Sequence, residues 1–552
     1  MVETKTVRTA AVLQLAGTRN AGRQTWYGPL DAVAYDLEGI RTNLLELDRA
    51  VYLVGEPEHL GVTGQGQLGS TDNGKTGSML PGYMTTQALP MQALGDASFL
   101  AAYGTRYAYY GGSMANGISS EQMVIELGKA GFLGSYGAAG MVPGRVEAAI
   151  QRVQKELPDG PYAFNLINSP NEPAVEHRVV ELYLKYGVTL IEASAYLDIT
   201  AALVYYRAAG LSLDPAGQVE IKNHIIAKVS RKEVATLFIS PAPQDLLNQL
   251  VAEKKISELQ AQLARQVPMA DDVTVEADSG GHTDNRPLVC LLPTMIALRD
   301  ELQEKYQYPQ PVRIGAAGGI GTPSSALAAF MMGAAYIVTG SVNQACVESN
   351  ACDYTKKLLA QADMADVIMA PAADMFEMGV KVQLLKRGTL FPMRAQKLFE
   401  LYSHYNSIDE IPAAEREKLE KQVFKREMET VWQDTVKFFE ERDPEQIKRA
   451  SGDPHRKMAL VFRWYLGLSS RWSSSGEKGR EMDYQIWCGP SMGTFNDWTR
   501  GTYLAEPQNR GVVDVARHIL TGCAYLYRLQ ALKMQGLRVS PVLEYYRPEK
   551  PL

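Results

Sequence analysis

The chain has 552 residues, of which 46% are hydrophobic and 21% charged, and a formal net charge of −6. It is too long for one compact core, so two or three domains are expected. The acidic balance excludes nucleic acid as a main partner, and any contact with an acidic carrier needs a local basic patch. Five cysteines (Cys290, Cys346, Cys352, Cys488 and Cys523) lie far apart with no C-x-x-C pair, so neither a metal site nor a disulfide framework is signalled. The start, "MVETKTVRTAAVLQLAG", has no long apolar core, and no run reaches membrane-spanning length. A cytoplasmic protein is the expectation.

Residues 1–95 read as an N-terminal extension. "AVAYDLEGI" and "RAVYLVGEP" look like short strands, and "GVTGQGQLGSTDNGKTGSMLPG" reads as a long loop or linker. Within it, Gly69–Thr76 spells G-x-x-x-x-G-K-[ST]. A phosphate loop needs a buried strand before it and a helix directly after, and this stretch has neither.

From Tyr107 to Ser341 apolar strand segments alternate with amphipathic helical ones. The strand segments are "YAYYGGSM", "GFLGSYGAAG", "PYAFNLIN", "VTLIEASA", "HIIAKVS", "DVTVEADSGG", "VRIGAAGGI" and "AAYIVTGS". Eight such units predict a (β/α)8 TIM barrel over 96–350, with a doubly wound open sheet as the alternative. Residues 231–271 exceed one crossover helix and predict a helical insertion over the barrel mouth. Residues 351–552 have helical apolar spacing and predict an α-helical C-terminal domain. The fold class is therefore α/β: a TIM barrel with an N-terminal extension, a helical insertion and a C-terminal helical domain.

Candidate site residues gather at the strand ends. Gly318, Gly319 and Gly321 allow a ligand close to the backbone, and Thr322-Pro323-Ser324 opens a helix. With the turn Thr339-Gly340-Ser341 these form a phosphate site after strands seven and eight. His282, in "EADSGGHTDNRP", ends the strand before that pair and can deliver a proton near neutral pH. Gly111 and Gly112 after the first strand leave backbone open to a flat ring. Asn165, Glu192 and Lys228 end other strands and are read as a polar ring around the mouth, although each also suits a barrel-core hydrogen bond.

These motifs resemble a known family. The glycine-rich first strand, "SGGH" and "GAAGGIGT…GAAYIVTGS" are similar to the 2-nitropropane dioxygenase-like FMN barrels, which include nitronate monooxygenases and flavin-dependent enoyl reductases. "ADSGGHTDNRP", "AADMFEMGVKVQLLKRGTLFPMRAQKL" and "IWCGPSMGTFNDW" resemble the PfaD-type trans-acting enoyl reductases of polyketide and polyunsaturated fatty acid synthases.

The resemblance implies FMN at the barrel mouth, with its phosphate on Gly318, Gly319, Ile320, Thr339, Gly340 and Ser341. Gly111, Gly112, Ser113, Met114 and Gly281 would lie beside the flavin, and Asn165 and Lys228 would contact its ring heteroatoms or ribityl chain. NADPH (or NADH) would be the reductant, and the substrate an enoyl thioester on an acyl carrier protein. His282, with Lys228 as second candidate, would polarise the carbonyl or deliver the proton. A homodimer is left open. The competing readings are a nitronate monooxygenase and a flavin-free docking protein.

Overall fold

A computed structural model describes residues 12–15, 24–69, 78–170 and 172–552. Most of the G-x-x-x-x-G-K-[ST] stretch, and most of the N-terminal "MVETKTVRTAAVLQLAG", lie outside the described residues. The chain divides into two compact units: residues 1–94, 323–328 and 515–552 form one, and residues 95–322 and 329–514 the other. The expected C-terminal domain over 351–552 is thus divided, its larger part packing in the same unit as the barrel.

In the first unit a five-stranded antiparallel sheet holds Gln24–Gly28, Val51–Glu56, His59–Thr63, Gln67–Gly69 and Ser78–Thr86. Two expectations change here. "AVAYDLEGI" is not a strand, because the Asp36 carboxylate accepts from the Gly39 N–H at 2.9 Å and starts the helix Leu37–Leu45. The glycine-rich stretch read as a loop supplies strands. Gly61 and Gly82 sit inside them because a Cβ would strike Val33 at 2.4 Å and Leu68 at 2.3 Å.

The second unit holds the expected barrel. Its eight parallel strands are Tyr109–Gly111, Leu133–Tyr136, Ala163–Ile167, Leu190–Ser194, His224–Val229, Asp272–Glu276, Arg313–Ala317 and Ile337–Thr339, closed in sequential order. The helix Ala97–Tyr103 closes the N-terminal end, where Phe99 stacks on Tyr336 at 4.3 Å. There Arg313 forks onto the fully buried Asp272 with two contacts of 2.7 Å, and the Tyr103 hydroxyl donates to the same carboxylate.

The insertion after strand five consists of the helices Gln244–Ala252 and Glu258–Ala264. It follows the crossover helix Lys232–Ile239 and precedes strand six, so it joins helix to strand. Such connections lie at the N-terminal face of a barrel, and the insertion therefore sits opposite the mouth rather than over it. Arg207, bonded to Asp271 and to the Pro268 carbonyl, fixes its return.

The stretch expected to be mostly helical contains the strands Val367–Pro371 and Lys381–Leu385. They form an antiparallel sheet with the two-residue strand Gly281–His282, and Gly281 faces Gln383. The helices Phe391–His404, Met428–Arg442 and Pro454–Ser475 follow. Among the described residues no helix is long and apolar enough to cross a membrane.

Removing one member of a buried ion pair strands the other. Arg313→Met is therefore expected to destabilise the barrel by about 3–5 kcal/mol in chemical denaturation. A loss below about 1 kcal/mol would show that Asp272 needs no partner there.

Candidate functional site

Three consecutive strands place one cation between two carboxylates at the barrel mouth. Lys228 on strand five lies 3.5 Å from Glu192 on strand four and 3.1 Å from Glu276 on strand six. Burial works against the ammonium, but the two carboxylates outweigh it and hold the Lys228 pKa above the usual lysine range. Glu192 is fully buried and otherwise satisfied: the Ser113 N–H and hydroxyl donate to it at 3.1 and 2.6 Å, as does the Tyr110 hydroxyl. The backbone after strand one is thereby tied to strand four. Asn165 donates to the Glu192 carbonyl at 3.1 Å and the Ser194 hydroxyl at 2.8 Å.

His282 stands beyond the end of strand six, on the small sheet. Its Nε2 is 3.2 Å from the Asp374 carboxylate, and its side chain is 31% exposed. Burial disfavours the imidazolium, but the facing Asp374 outweighs it and raises the His282 pKa above 6.5. The turn that carries His282 is held from both sides. Asp284 accepts from Ser230 and, as a fork, from Arg231, which lowers its pKa to about 2. Gln383 donates to Asp278 and the Ser279 carbonyl and accepts from Asn285. The turn also crosses another glycine turn at backbone distance: a Cβ on Gly280 would stand 2.9 Å from the Cys488 nitrogen, and one on Gly489 would stand 2.9 Å from the Gly280 nitrogen.

Two adjoining cavities open here. The larger, about 440 Å³, is lined by Ser113, Met114, Asn165, Lys228, Gly281 and His282, with Asp374 and the helices beyond. The smaller, about 60 Å³, is lined by Gly112, Gly318, Ile320, Thr339, Gly340 and Ser341. Ser113, Met114, Lys228, Glu276, Gly280 and Trp487 border both.

Gly318 and Gly319 have φ of +81° and +76°, which favours glycine. A Cβ on Gly318 would stand 2.8 Å from the Ala277 and Asp278 backbone, while Gly319 and Gly340 face open space. Consecutive turns of this kind form an anion-binding concavity. One buried donor points to the same conclusion: Gln344 lines the small cavity, is 1% exposed, and its Nε2 has no partner among the described residues.

Most expected residues are thus brought together. Gly111 lines neither cavity, since its missing Cβ points at Leu127 on the surrounding helix. Thr339 offers backbone only, because its hydroxyl is engaged by Tyr109 at 2.5 Å. Asp374, Glu276, Gln344, Trp487 and Ser491 are site-lining residues that sequence reasoning did not single out. Glu276 had a signal, standing at the end of strand six beside the glycine turn. Asp374 stands in the quoted motif "AADMFEMG", but 92 positions from His282 nothing local pairs the two.

A closed parallel barrel with open glycine turns after strands seven and eight defines a (β/α)8 protein with its cavities at the C-terminal mouth. The nitronate monooxygenase model matches residues 107–400, more than half of the chain. The model of the fatty acid synthase subunit PfaD N-terminal domain matches 26–80, and that of the inserted helical domain of [acyl-carrier-protein] S-malonyltransferase matches 405–484.

Among curated relatives, a polyunsaturated fatty acid synthase subunit of Thraustochytrium sp. is 48% identical over 532 residues, covering 95% of this chain and 35% of its own length. Polyketide biosynthesis protein PksE of Bacillus subtilis is 45% identical over 444 residues, covering 80% of this chain and 58% of its own. The chain therefore spans about a third to somewhat over half of these relatives. The solved enoyl reductase domain of MlnA, from the macrolactin cluster of Bacillus amyloliquefaciens, superposes with a TM-score of 0.76 at 40% identity, covering 81% of this chain and all of that one. The chain belongs to the nitronate monooxygenase family, in its PfaD-type enoyl reductase group.

Because Asp374 raises the His282 pKa, Asp374→Asn is expected to lower it in an NMR titration. An unchanged value would mean that the carboxylate does not govern that proton.

Proposed function

We propose that this chain is an FMN-dependent enoyl reductase that reduces the α,β-double bond of enoyl thioesters on acyl carrier protein, with NADPH (or NADH) as reductant. The single observation that carries the reading is one continuous wall running from an anion cradle, past a charged lysine, to a histidine paired with a carboxylate. Family membership and the MlnA enoyl reductase domain support it.

The residues fit a flavin phosphate. Gly319 and Gly340 leave room where side chains would stand, and the partnerless Gln344 amide offers a donor. By this reading Gly318–Ile320 and Thr339–Ser341 hold the phosphate, and Gly112–Met114, Asn165 and Gly281 border the ring system. The chemistry that FMN would supply there is hydride transfer, from the nicotinamide and on to the β-carbon of the substrate.

The chain's own groups do the rest. Negative charge develops on the thioester oxygen as hydride arrives, and a proton must reach the α-carbon. His282, whose protonated form Asp374 favours, donates a hydrogen bond to that oxygen or the proton to that carbon. Lys228 is too firmly held in its charged form to shuttle protons, so its part is electrostatic: it keeps positive potential at the mouth and holds Glu192 and Glu276 in place. Glu192 in turn fixes Ser113 against the ring site.

The test is anaerobic reduction by NADPH followed by reoxidation with crotonyl thioester. Wild type is expected to be reoxidised, and His282→Ala to slow that step about 100-fold or more while retaining flavin. Asp374→Asn should move the alkaline fall of this rate to lower pH, because the imidazolium is lost sooner. Turnover of a nitronate with oxygen and none of the enoyl thioester would favour the monooxygenase chemistry named by the family model. A colourless protein that no flavin reconstitutes would favour a docking role.

A further inference from the structure

The larger cavity extends well past the residues used above. Its outer wall is made by two helices of the segment after the barrel. Met428–Arg442 presents Phe438 and Phe439, and Pro454–Ser475 presents Leu460, Trp464, Gly467 and Leu468. With Asp434, Thr435 and Arg442 on the first helix and Arg463 and Arg471 on the second, the lining positions recur at helical spacing, so each helix turns one face, part apolar and part charged, to the cavity. Phe438 is 47% exposed, with the Arg442 guanidinium 5.6 Å from its ring centroid.

Gly467 is the informative residue. It lies within a 22-residue helix, is exposed, and has nothing within 4 Å where a Cβ would stand. Its φ is not in the left-handed region, no neighbour crowds it, and it neither starts nor ends the helix. A glycine in a helix interior costs about 1 kcal/mol relative to alanine. Nothing inside the protein requires that cost. What the missing side chain does is keep the cavity wall open between Trp464 and Leu468.

We propose that this wall is the binding groove for the hydrocarbon chain of the acyl substrate, beyond the reacting double bond, and that Gly467 keeps it open for long chains. The inference rests on the reductase reading for its substrate. The occupant follows from chemistry and continuity: the groove is part of the same cavity as His282, and its aromatic and leucine lining suits methylenes. The same faces also carry Asp434, Arg442 and Arg463, which are engaged by Arg426, Glu172 and Glu377, and the exposed Arg471. The two helices lie within residues 405–484, outside the segment matched by the nitronate monooxygenase model. Chain selection is thus assigned to the added helices and bond chemistry to the barrel.

Gly467→Leu tests this with little risk to folding, since leucine is the better helix former and the space is open. The readout is the ratio of kcat/KM for trans-2-dodecenoyl over crotonyl thioester of pantetheine. The wild-type ratio is expected to be about tenfold or more and to fall by about that factor in the variant. An unchanged ratio, including equal loss on both substrates, would overturn the inference. Absence of turnover on every enoyl thioester would overturn the reductase reading instead. The groove is then read by binding alone, through quenching of tryptophan fluorescence by saturated dodecanoyl and butanoyl thioesters of pantetheine. Tighter binding of the longer chain, abolished in Gly467→Leu, supports the groove; equal binding of the two chains by wild type overturns it.

Discussion

The site depends on one ammonium group whose charged form is favoured by two carboxylates beside it. Lys228 sits between Glu192 and Glu276, and these three residues occupy three neighbouring strands. Each buried charge costs desolvation, and each is tolerable only because the others stand beside it. The same cluster reaches strand one through the bonds from Ser113 and Tyr110 to Glu192. Half of the barrel mouth is therefore locked by a single charge arrangement, which gives the cavities on either side of Lys228 a fixed common wall.

A second constraint joins the later segments to that wall. The Gly280 and Gly489 backbones cross where no side chain fits, and the Gly489 N–H donates to the Ser341 hydroxyl at 2.9 Å. Trp487 and Ser491 thereby reach the small cavity, and the sheet through Lys381–Leu385 carries Asp374 toward His282. The three motifs "SGGH", "GAAGGIG" and "IWCGPSMG" are far apart in sequence and meet in one place. The segment after the barrel is part of the site's construction.

Much of this was legible in the sequence because barrel strands obey a local rule: short apolar runs, polar ends and an intervening helix. All eight strands fall within the segments read from that pattern, and the glycine turns after strands seven and eight lie where the order of units put them. What failed lay beyond that rule. Asp36 converted a strand-like stretch to helix through a cap. Gly61 and Gly82 looked like loop residues, yet they sit in strands against Val33 and Leu68. The length of the insertion does not reveal its face of the barrel; its place between a helix and a strand does. Asp374 and Gln344 carry no periodic signal, and only tertiary contact reveals that one faces His282 and the other lacks a partner.

The central claim is that one ligand runs from the glycine cradle to His282. A crystal structure of the protein loaded with FMN tests it most directly. The account predicts a phosphate oxygen about 3 Å from Gln344 Nε2 and from the Gly340 and Ser341 amides, with the ring system bordered by Ser113, Met114 and Gly281 on the side where His282 stands. A flavin whose phosphate lies away from those turns, or whose ring lies in a different cavity from His282, would contradict it.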